Sequence, residues 1–463
     1  MTREKLGSAL VVASVLIGSG GIYALAQPLS RAEIEAQLAD HEARISALEG
    51  STTTSSTTTT NPVTTTSTIS TSTTTTTTTI PTTTTAPSAC VGVQVTAGSG
   101  LGSAMSAAPA GTTFCLGAGI FLISAALPFQ SNDKVIGARG PTGERLSILS
   151  GGGTTSYLVT ATNSGVLIQG LVIERFANAS QQGVNTGAQT AWTWDDLEVR
   201  ENAGHGIHTH DDSKVTNSWI HHNHQAGLGG SGDRVLIEGN LIEWNNYLGE
   251  FDWGFEAGGS KWVNAAGLIV RNNVSRNNCG PGLWTDGTGN VGITYQNNVV
   301  TDNHGPGIMH EIGGAAVIVG NTASGNAFGN ARSSTSCVSP GTTGGFGGGI
   351  LISDSRDTEA FGNTLSDNDG GIVVINDARG TGIHPVNLNI HDNDITNAAG
   401  GYHAAGCKDN EAGSICYDAA SNNHWDGNDY HTADSTPFEW LDAERTWAAW
   451  QGFGFDLAGA CCG

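Results

Sequence analysis

Short stretches of alternating apolar and polar residues recur through the second half of this chain, and asparagine closes each of them. Residues 235–240 read Val-Leu-Ile-Glu-Gly-Asn, and residues 268–273 read Leu-Ile-Val-Arg-Asn-Asn. Alternation with a period of two is typical of a β-strand that buries one face. The pattern therefore predicts many short strands joined by tight corners that contain asparagine.

The corners recur at a nearly fixed interval. The first asparagine of each corner is Asn217, Asn240, Asn273, Asn298, Asn321, Asn363 or Asn393. A second asparagine follows four to six residues later, at Asn223, Asn245, Asn278, Asn303, Asn326, Asn368 and Asn397. Spacings of 23, 33, 25, 23, 42 and 30 residues indicate a short unit with insertions. Asparagine tolerates a left-handed corner and can bond to its counterpart in a ladder, so the repeat predicts an all-β solenoid, a parallel β-helix.

Several repeats also carry a family resemblance. The segments Gly-Ile-His208, Gly-Leu-Trp-Thr-Asp286, Gly-Ile-Met-His-Glu311 and Gly-Gly-Ile-Val-Val-Ile375 resemble coils of right-handed parallel β-helix proteins of the pectate-lyase-like type. The resemblance covers residues 90–455 and implies a single-stranded right-handed β-helix. Such coils serve lyases, hydrolases, epimerases and non-catalytic adhesins, so the chemistry has to be argued from individual residues.

Both ends of the predicted solenoid have sequences suited to closing it. Residues 103–114 suggest a short helix, a turn and a first strand, similar to segments that cover the open end of such coil stacks. The aromatic stretch 438–456 resembles their C-terminal closing segments. We therefore expect a β-helix domain over residues 89–463, with caps at about 89–125 and 425–463.

The first 88 residues differ in character. Residues 1–26 combine a basic start with an apolar run ending in Ala-Leu-Ala, a pattern of either a cleaved signal peptide or a retained signal-anchor helix. Residues 27–50 predict a short amphipathic helix, either simply exposed or a coiled coil that associates weakly with other copies through residues 30–48. Residues 51–88, nearly all Thr and Ser, predict a disordered stalk. The expected location is extracellular, secreted or anchored through the N-terminal segment, the only predicted membrane contact.

Charge and cysteine content narrow the classes of partner and compartment. The chain has 42 acidic and 19 basic residues and a formal charge of −23, which disfavours nucleic acid. Eight cysteines behind an export signal favour disulfides. We predict Cys90–Cys115 and Cys407–Cys416, offer Cys279–Cys337 as a guess, and leave the adjacent Cys461 and Cys462 unassigned.

Two spacings exceed the repeat, and insertions in solenoids tend to gather on one binding face. The 33-residue step adds about ten residues around 246–262, and the 42-residue step, around 327–348, is either a loop or an extra coil. We set the coil register on the glycine before each strand, namely Gly206, Gly254, Gly282, Gly307, Gly349 and Gly371. The second and fourth residues after each glycine then point outward.

This register predicts an outer column of acidic residues. Asp286 and Glu311 fall on adjacent strands, Glu256 falls on the strand before Asp286, and Lys261 lies just beyond that strand. Carboxylates stacked about 4.8 Å apart need a shared proton, a cation such as Ca²⁺, or a lysine. A retained proton suits glycoside hydrolysis, whereas Ca²⁺ with a basic side chain suits uronate elimination. A solvated acidic ridge is the alternative. His310, registered inward beside Glu311, is a supporting candidate or a core histidine.

Aromatic and imidazole side chains are concentrated in the same coils. Trp284, Trp253 and Trp262 are candidates for stacking on sugar rings, or for packing under the insertion. His208 and His210 lie on one strand face and are candidates for substrate contact, with transition-metal binding as an alternative.

We therefore predict a carbohydrate-active enzyme, a glycoside hydrolase or polysaccharide lyase, that acts on a polysaccharide in a groove of the outer face. Its predicted catalytic residues are Asp286, Glu311, Glu256, Lys261 and His310. Ca²⁺ on Asp286 and Glu311 is the one cofactor considered. The alternative is a non-catalytic adhesin or glycan-binding module carried on the stalk.

Overall fold

The computed structural model describes residues 90–462 except 179–180, 328–346, 378, 381, 398–402 and 412–414. The segments predicted as export signal, amphipathic helix and stalk lie outside the described residues. Within the described residues, no helix has both the length and the apolar character needed to cross a membrane.

Each turn of the chain contributes up to three short strands, and equivalent strands stack into three sheets. Sheet 1 contains Val93–Val95, Thr113–Leu116, Lys134–Ile136, Leu167–Gln169, Thr193–Asp195, Lys214–Thr216, Leu236–Glu238, Ile269–Arg271, Ile293–Gln296, Ala316–Val319, Thr358–Phe361, Asn389–His391 and His424–Asp426. Sheet 2 contains Gly119–Leu122, Ser147–Ser150, Val172–Glu174, Glu198–Arg200, Trp219–His221, Leu241–Glu243, Val274–Arg276, Val299–Thr301, Thr322–Ser324, Thr364–Asn368, Asp394–Asn397, Asp429–His431 and Ala460–Cys461.

Sheet 3 begins several coils later than the other two. It contains Ile207–Thr209, Ala226–Gly230, Gly258–Val263, Leu283–Asp286, Ile308–Glu311, Ile350–Ser353, Ile372–Asn376, Ala405–Asp409, Phe438–Glu439 and Glu444–Arg445. Among the described strands, neighbours in the stack pair in parallel, and only the last pair of sheet 3, Phe438–Glu439 with Glu444–Arg445, is antiparallel. The predicted parallel β-helix is confirmed.

Few helices accompany the coils. They are the α-helices Leu101–Ala107, Trp253–Glu256 and Trp447–Gly452 and the 3-10 helices Ile415–Tyr417 and Ala419–Ser421. The first buries Leu101 and Met105 at the N-terminal end of the core. At the other end Trp450 is fully buried and packs against Trp425 and Phe438. Both ends of the apolar core are therefore covered by side chains.

Two buried asparagine ladders fix the corners on either side of sheet 2. The first runs through Asn240, Asn273, Asn298, Asn321, Asn363, Asn393 and Asn428 and ends on Asp456. The second runs through Asn202, Asn223, Asn245, Asn278, Asn303, Asn326 and Asn368. Each amide donates to the side-chain oxygen in the next coil and so satisfies polar atoms that water does not reach.

The prediction for Asn217 is wrong by one residue. Ser218 takes the ladder position, where its backbone N–H donates to Asn240, and Asn217 is the left-handed residue before it, with φ of 51°. The same division holds at Asn272 and Asn273, where the first is left-handed and the second is in the ladder. Each corner thus needs two adjacent residues. The first adopts the left-handed conformation, and the second bonds along the ladder, whereas we predicted that one asparagine does both.

The coil register is set by a glycine that packs against the second ladder. A Cβ on Gly227, Gly259 or Gly282 would lie 2.7–3.0 Å from the amide nitrogen of the ladder asparagine beside it. The predicted register at Gly254 is therefore wrong, because Gly259 occupies this place and Gly254 lies in the short helix Trp253–Glu256. The coil at Gly227 was missed altogether.

The 42-residue step adds no coil to the stack. Ile308 pairs directly with Ile350 in sheet 3, and sheets 1 and 2 show the same direct pairing across this step. Two strands that are hydrogen-bonded to each other leave no room for a coil between them.

The predicted disulfides Cys90–Cys115 and Cys407–Cys416 are confirmed. Cys461 and Cys462, left unassigned, are bonded to each other. Cys279 is also disulfide-bonded. The guess that its partner is Cys337 stays a prediction, because Cys337 lies outside the described residues.

Candidate active site

The outer wall of sheet 3 carries the acidic column that the sequence predicts. Leu283 pairs with Ile308 and faces the core, and Asp286 pairs with Glu311 on the outside. The two carboxylates are therefore neighbours on adjacent strands, as predicted. Toward the C-terminus the same positions continue as Ser353 and Ile375 and then Lys408, so the run of acidic residues in this column ends after Glu311.

Glu256 joins this cluster by a different route from the one predicted. Val263 is the residue that pairs with Asp286, because the strand of this coil is Gly258–Val263. Glu256 lies instead at the end of the helix Trp253–Glu256, whose N-terminus is capped by the Asp252 carboxylate. Lys261 connects the two regions, because its Nζ donates to the carbonyl of Phe255, the residue before Glu256, and is paired with Asp286. The charge of Asp286 contributes to raising the pKa of Glu256.

The insertion that carries Glu256 is held to the coil stack by one asparagine. The Asn246 side chain accepts a hydrogen bond from the backbone N–H of Phe251 and donates to the carbonyls of Phe251 and Cys279. These bonds fold the extra residues back over sheet 3. The short helix is thereby fixed beside the carboxylate column.

Lys261 lies on the strand itself, in the column next to the acids. Its Nζ is 2.9 Å from a carboxylate oxygen of Asp286 and 3.7 Å from the centre of the Trp284 ring, and it donates to the carbonyl of Phe255. The Lys261 side chain is 4% exposed and that of Asp286 is 20% exposed. For Asp286, the neutralising group in the structure is this lysine.

Glu311 is the most enclosed of the three acids. It forms an ion pair with Arg379 and accepts a hydrogen bond from the indole Nε1 of Trp284 at 3.1 Å. Burial and the charge of Asp286 raise the pKa of Glu311, while Arg379 and Lys261 act against this rise. Glu311 therefore holds Arg379 and Trp284 in place and offers little surface to a ligand.

Glu256 and Asp286 have contrasting surroundings. Burial is the main cause that raises the pKa of the Glu256 carboxyl, and within the described part of the chain this carboxylate has no hydrogen-bond or ion-pair partner. Asp286 instead forms an ion pair with the buried side chain of Lys261. Two neighbouring carboxyls whose environments separate their protonation states can divide the roles of acid and base.

Three predicted contributors do not reach this surface. His310 is fully buried inside the coils, where its ring bonds to Thr285 Oγ1 at 2.9 Å and to the Gly314 carbonyl at 3.0 Å. Trp262 faces the same interior column, because it pairs with Thr285, which pairs with His310. Trp253 is 7% exposed and packs edge-on against His304. The first is a core histidine, and neither tryptophan presents a face for a sugar.

Trp284 also serves a different purpose from the one predicted. It is 2% exposed, is covered on one face by Lys261, and forms an outer apolar cluster with Met309, Leu351 and Val373. It thus orients charged groups instead of stacking on a sugar. His208 and His210 lie on the same wall, partly exposed, with ring centres 5.0 Å apart.

The arrangement does not provide the ligands of a metal ion. Over the described ranges, no group of three or more His, Cys, Asp or Glu side chains is placed to hold one. Asp286 and Glu311, considered for Ca²⁺, each bind a side-chain cation. His208-x-His210 likewise lacks the third ligand that Zn²⁺ sites in proteins usually have.

Sequence reasoning missed two members of the site. Arg379 follows the strand Ile372–Asn376 and lies 68 residues from its partner Glu311, in a segment without repeat character. His205 precedes the register glycine of its coil, so a period-two assignment passes over it. Its ring nonetheless fills the outer wall beside Lys261, because Gly229 in the next coil leaves that space open.

Comparison with known proteins agrees with the fold. The family model described as right handed beta helix region matches residues 182–342. The protein is thus a right-handed parallel β-helix. No match is found among curated proteins.

Several solved structures are similar at low identity. The mannuronan C-5 epimerase A-module of Azotobacter vinelandii is 15% identical over 75% of this chain and 93% of its own, with a TM-score of 0.49. The catalytic unit of an α-1,3-glucanase of Streptomyces thermodiastaticus is 13% identical over 78% and 65%, with a TM-score of 0.49. An alginate lyase is 13% identical over 76% and 53%, with a TM-score of 0.42. At these values we take nothing about activity from them.

Proposed function

We propose that this protein is a glycoside hydrolase that acts on a neutral polysaccharide at the outer wall of sheet 3. The observation that carries the proposal is the contrast between Glu256 and Asp286. One carboxyl is partly buried, without a partner and raised in pKa, and the other is paired with the Lys261 ammonium. Glycoside hydrolysis needs one carboxyl of each kind on either side of the scissile bond.

Each group then has a defined role. The protonated Glu256 donates to the glycosidic oxygen as the bond to the anomeric carbon breaks. The Asp286 carboxylate supports the positive charge that develops on the sugar ring, either as the base that activates water or as the nucleophile. Lys261 positions Asp286, and Glu311 with Arg379 holds the next strand and the indole of Trp284.

The same contacts favour hydrolysis over uronate elimination. Elimination requires an unprotonated base to remove a ring proton and a cation to offset the substrate carboxylate. Lys261 and Arg379 are already committed as cations to Asp286 and Glu311. With three acids in the cluster and a formal charge of −23 on the chain, a neutral glycan fits better than an anionic one.

Location and domain organisation complete the proposal. Disulfides are typical of proteins that leave the cytoplasm, and the structure contains Cys90–Cys115, Cys407–Cys416 and Cys461–Cys462. We propose that the enzyme works outside the cell, secreted or anchored by residues 1–26, with the β-helix carried on the segment 51–88.

The test is product release from a panel of polysaccharides: cellulose, laminarin, xylan, mannan, α-glucans, pectate and alginate. We expect new reducing ends from at least one neutral polymer, without unsaturated uronate. Unsaturated product from pectate or alginate would support elimination instead. Binding without product, equal in the wild type, Glu256→Gln and Asp286→Asn, would support the alternative of a non-catalytic adhesin or glycan-binding module.

A further inference from the structure

Three histidines line the wall of sheet 3 immediately before the carboxylate cluster. We infer that His205, His208 and His210 form a subsite that binds hydroxyl groups of a neutral glycan. The inference deepens the proposed function, and rests on it for the nature of the ligand. It is carried by the geometry of the three rings and by ring nitrogens that make no hydrogen bond of good geometry within the described residues.

The three rings belong to one coil and form a continuous row on the wall. His208 points outward from the strand Ile207–Thr209, with His210 at 5.0 Å on one side and the stacked ring of His205 at 6.4 Å on the other. His208 pairs with Gly229, which pairs with Lys261. A Cβ on Gly229 would lie 2.4 Å from His205 Nδ1. The His205 ring therefore occupies the space that a side chain at Gly229 would fill, and it lies between His208 and Lys261 on the wall.

The row contains buried ring nitrogens whose hydrogen-bonding capacity is not fully used. Within the described residues, Nε2 of His210 has no hydrogen-bond partner. Neither ring nitrogen of His205, which is 2% exposed, makes a hydrogen bond of good geometry, although the backbone of Glu256 lies near the ring. A buried polar atom left unpaired costs about 1 to 3 kcal/mol, and few persist in folded proteins. A neutral imidazole offers one donor and one acceptor, which is the combination that a sugar hydroxyl matches.

The row is also uncharged near neutral pH. Burial lowers the pKa of His205 to about 4. The charge of Lys261 also lowers this pKa, whereas the backbone of Glu256 raises it. Burial lowers the pKa of His208 to about 3, aided by the other two histidines. Uncharged rings suit a neutral ligand, and they give no attraction for a uronate or a phosphate.

The position of the row predicts how long a ligand must be. Gly229 and Lys261 lie on the two strands between that of His208 and that of Asp286. Three strand spacings correspond to about 14 Å. A glycan that reaches both the imidazoles and the carboxylates therefore spans several sugar units, and the smallest substrates cannot use the subsite.

The experiment measures binding apart from turnover. Oligosaccharides of cellulose, laminarin, xylan and mannan are titrated into the full chain carrying Asp286→Asn, while imidazole signals are followed by NMR. We expect the signals of His205 and His208 to shift, and His205→Phe or His208→Phe to weaken binding about tenfold. Phe keeps a ring and removes the nitrogens, so His205→Gln should restore part of the affinity. His424→Phe, on the exposed face of sheet 1, is the matched control, and melting curves verify that each variant is folded.

Two further measurements separate the outcomes. In the active enzyme, His208→Phe should raise KM about tenfold on long substrates with little change in kcat, and should leave the shortest cleavable substrate unaffected. A row of imidazoles can also bind Zn²⁺, so a titration with Zn²⁺ alone tests whether the metal is the ligand instead of a glycan. Imidazole shifts that follow only Zn²⁺, or oligosaccharide affinities unchanged in both Phe variants, would overturn the inference.

Failure of the subsite and failure of the proposed function are distinguishable. If oligosaccharides bind through the histidines but the wild type releases no product, the proposed hydrolase activity is wrong and the subsite is supported. Hydrolysis with unchanged affinity in the histidine variants would remove the subsite and keep the hydrolase. If no oligosaccharide of the panel binds, the subsite as inferred here is wrong.

Discussion

The asparagine ladders and the outer wall of sheet 3 are built from the same coils but follow opposite rules. Along the first ladder, Asn273, Asn298, Asn321 and Asn363 make the same two bonds in every coil. Along one outer column of sheet 3, the residue changes at each step, from His208 through Gly229, Lys261, Trp284 and Met309 to Leu351. In this fold the residues that repeat stabilise the coils. The residues that depart from the repeat are where a functional site can be located.

The ladders and the outer wall of sheet 3 also contribute differently to the free energy of folding. A ladder asparagine is satisfied by its neighbours, so each coil stabilises the next one. On the wall, Lys261 and Glu311 are buried charges that need specific partners, and within the described residues the ring nitrogens of His205 make no hydrogen bond of good geometry. Burying such groups opposes folding, and sites that do so are frequently functional.

The largest expected effect is loss of activity when an acid of the wall is substituted. Asp286→Asn should lower kcat/KM at least about a hundredfold, because general acid–base and nucleophilic groups contribute factors of that size. Activity is measured per folded molecule, because the substitution leaves the buried Lys261 ammonium without its carboxylate partner and so also lowers stability. Reducing-end release and urea unfolding measure the two quantities. Glu238→Gln, which loses a surface pair with Arg271 on sheet 1, is the matched control and should keep its activity. Equal activity in the two variants would remove Asp286 from the mechanism.

The ladder should respond in the opposite way. Asn298→Ala removes the bonds to Val270 and Asn321 and leaves the backbone and side-chain N–H groups of Asn273 without their acceptor. We expect the free energy of unfolding to fall by about 3 kcal/mol, with kcat/KM per folded molecule unchanged. Asn217→Gly, in the exposed corner, keeps the left-handed conformation and should cost under about 1 kcal/mol. Equal losses in the two variants would show that the ladder is not what stabilises the corners.

Inside the coils, His310 predicts a pH dependence of stability. Burial lowers the pKa of His310 from 6.5 to about 4, so this ring stays neutral in the folded protein. The unfolded chain binds the proton more readily, hence stability is full above about pH 6.5 and is lost as pH falls toward 4. The shift corresponds to roughly 3 kcal/mol. The free energy of unfolding, measured with urea at several pH values in this window, should vary less with pH for His310→Gln than for the wild type.

A comparison with that variant is needed because other groups act in the opposite direction. Burial raises the pKa of Asp354 to about 6, so this carboxyl stabilises the folded protein as pH falls. The difference between the two proteins cancels this contribution. Parallel curves for the wild type and His310→Gln would contradict the assignment of His310 as a buried neutral ring.

The sequence predicted the repeating part of the molecule well. The ladder from Asn240 to Asn393 and the pairing of Asp286 with Glu311 follow directly from spacing, because a fixed period turns positions in sequence into neighbours in space. The disulfides Cys90–Cys115 and Cys407–Cys416 also agree.

The parts that failed are those where the period breaks. Glu256 was assigned to a strand because Gly254 looked like a register glycine, whereas the close contact of Gly259 with Asn278 sets the register. Arg379 lies in a loop, and its approach to Glu311 depends on tertiary contacts with no spacing to indicate them. Trp262 turned inward with the corrected register, because a shift by an odd number of residues exchanges the two faces of a strand.

The most direct test of the account is the pH dependence of kcat/KM for the wild type and Glu256→Gln on the preferred neutral polysaccharide. A protonated Glu256 beside an ionised Asp286 predicts a bell-shaped profile whose alkaline limb lies above the ordinary carboxyl value of 4.5, since burial raises the pKa of Glu256. In Glu256→Gln this limb should vanish together with most of the activity. An alkaline limb that persists at the same pH in the variant would contradict the assignment of Glu256 as the acid and, with it, the division of roles on this wall.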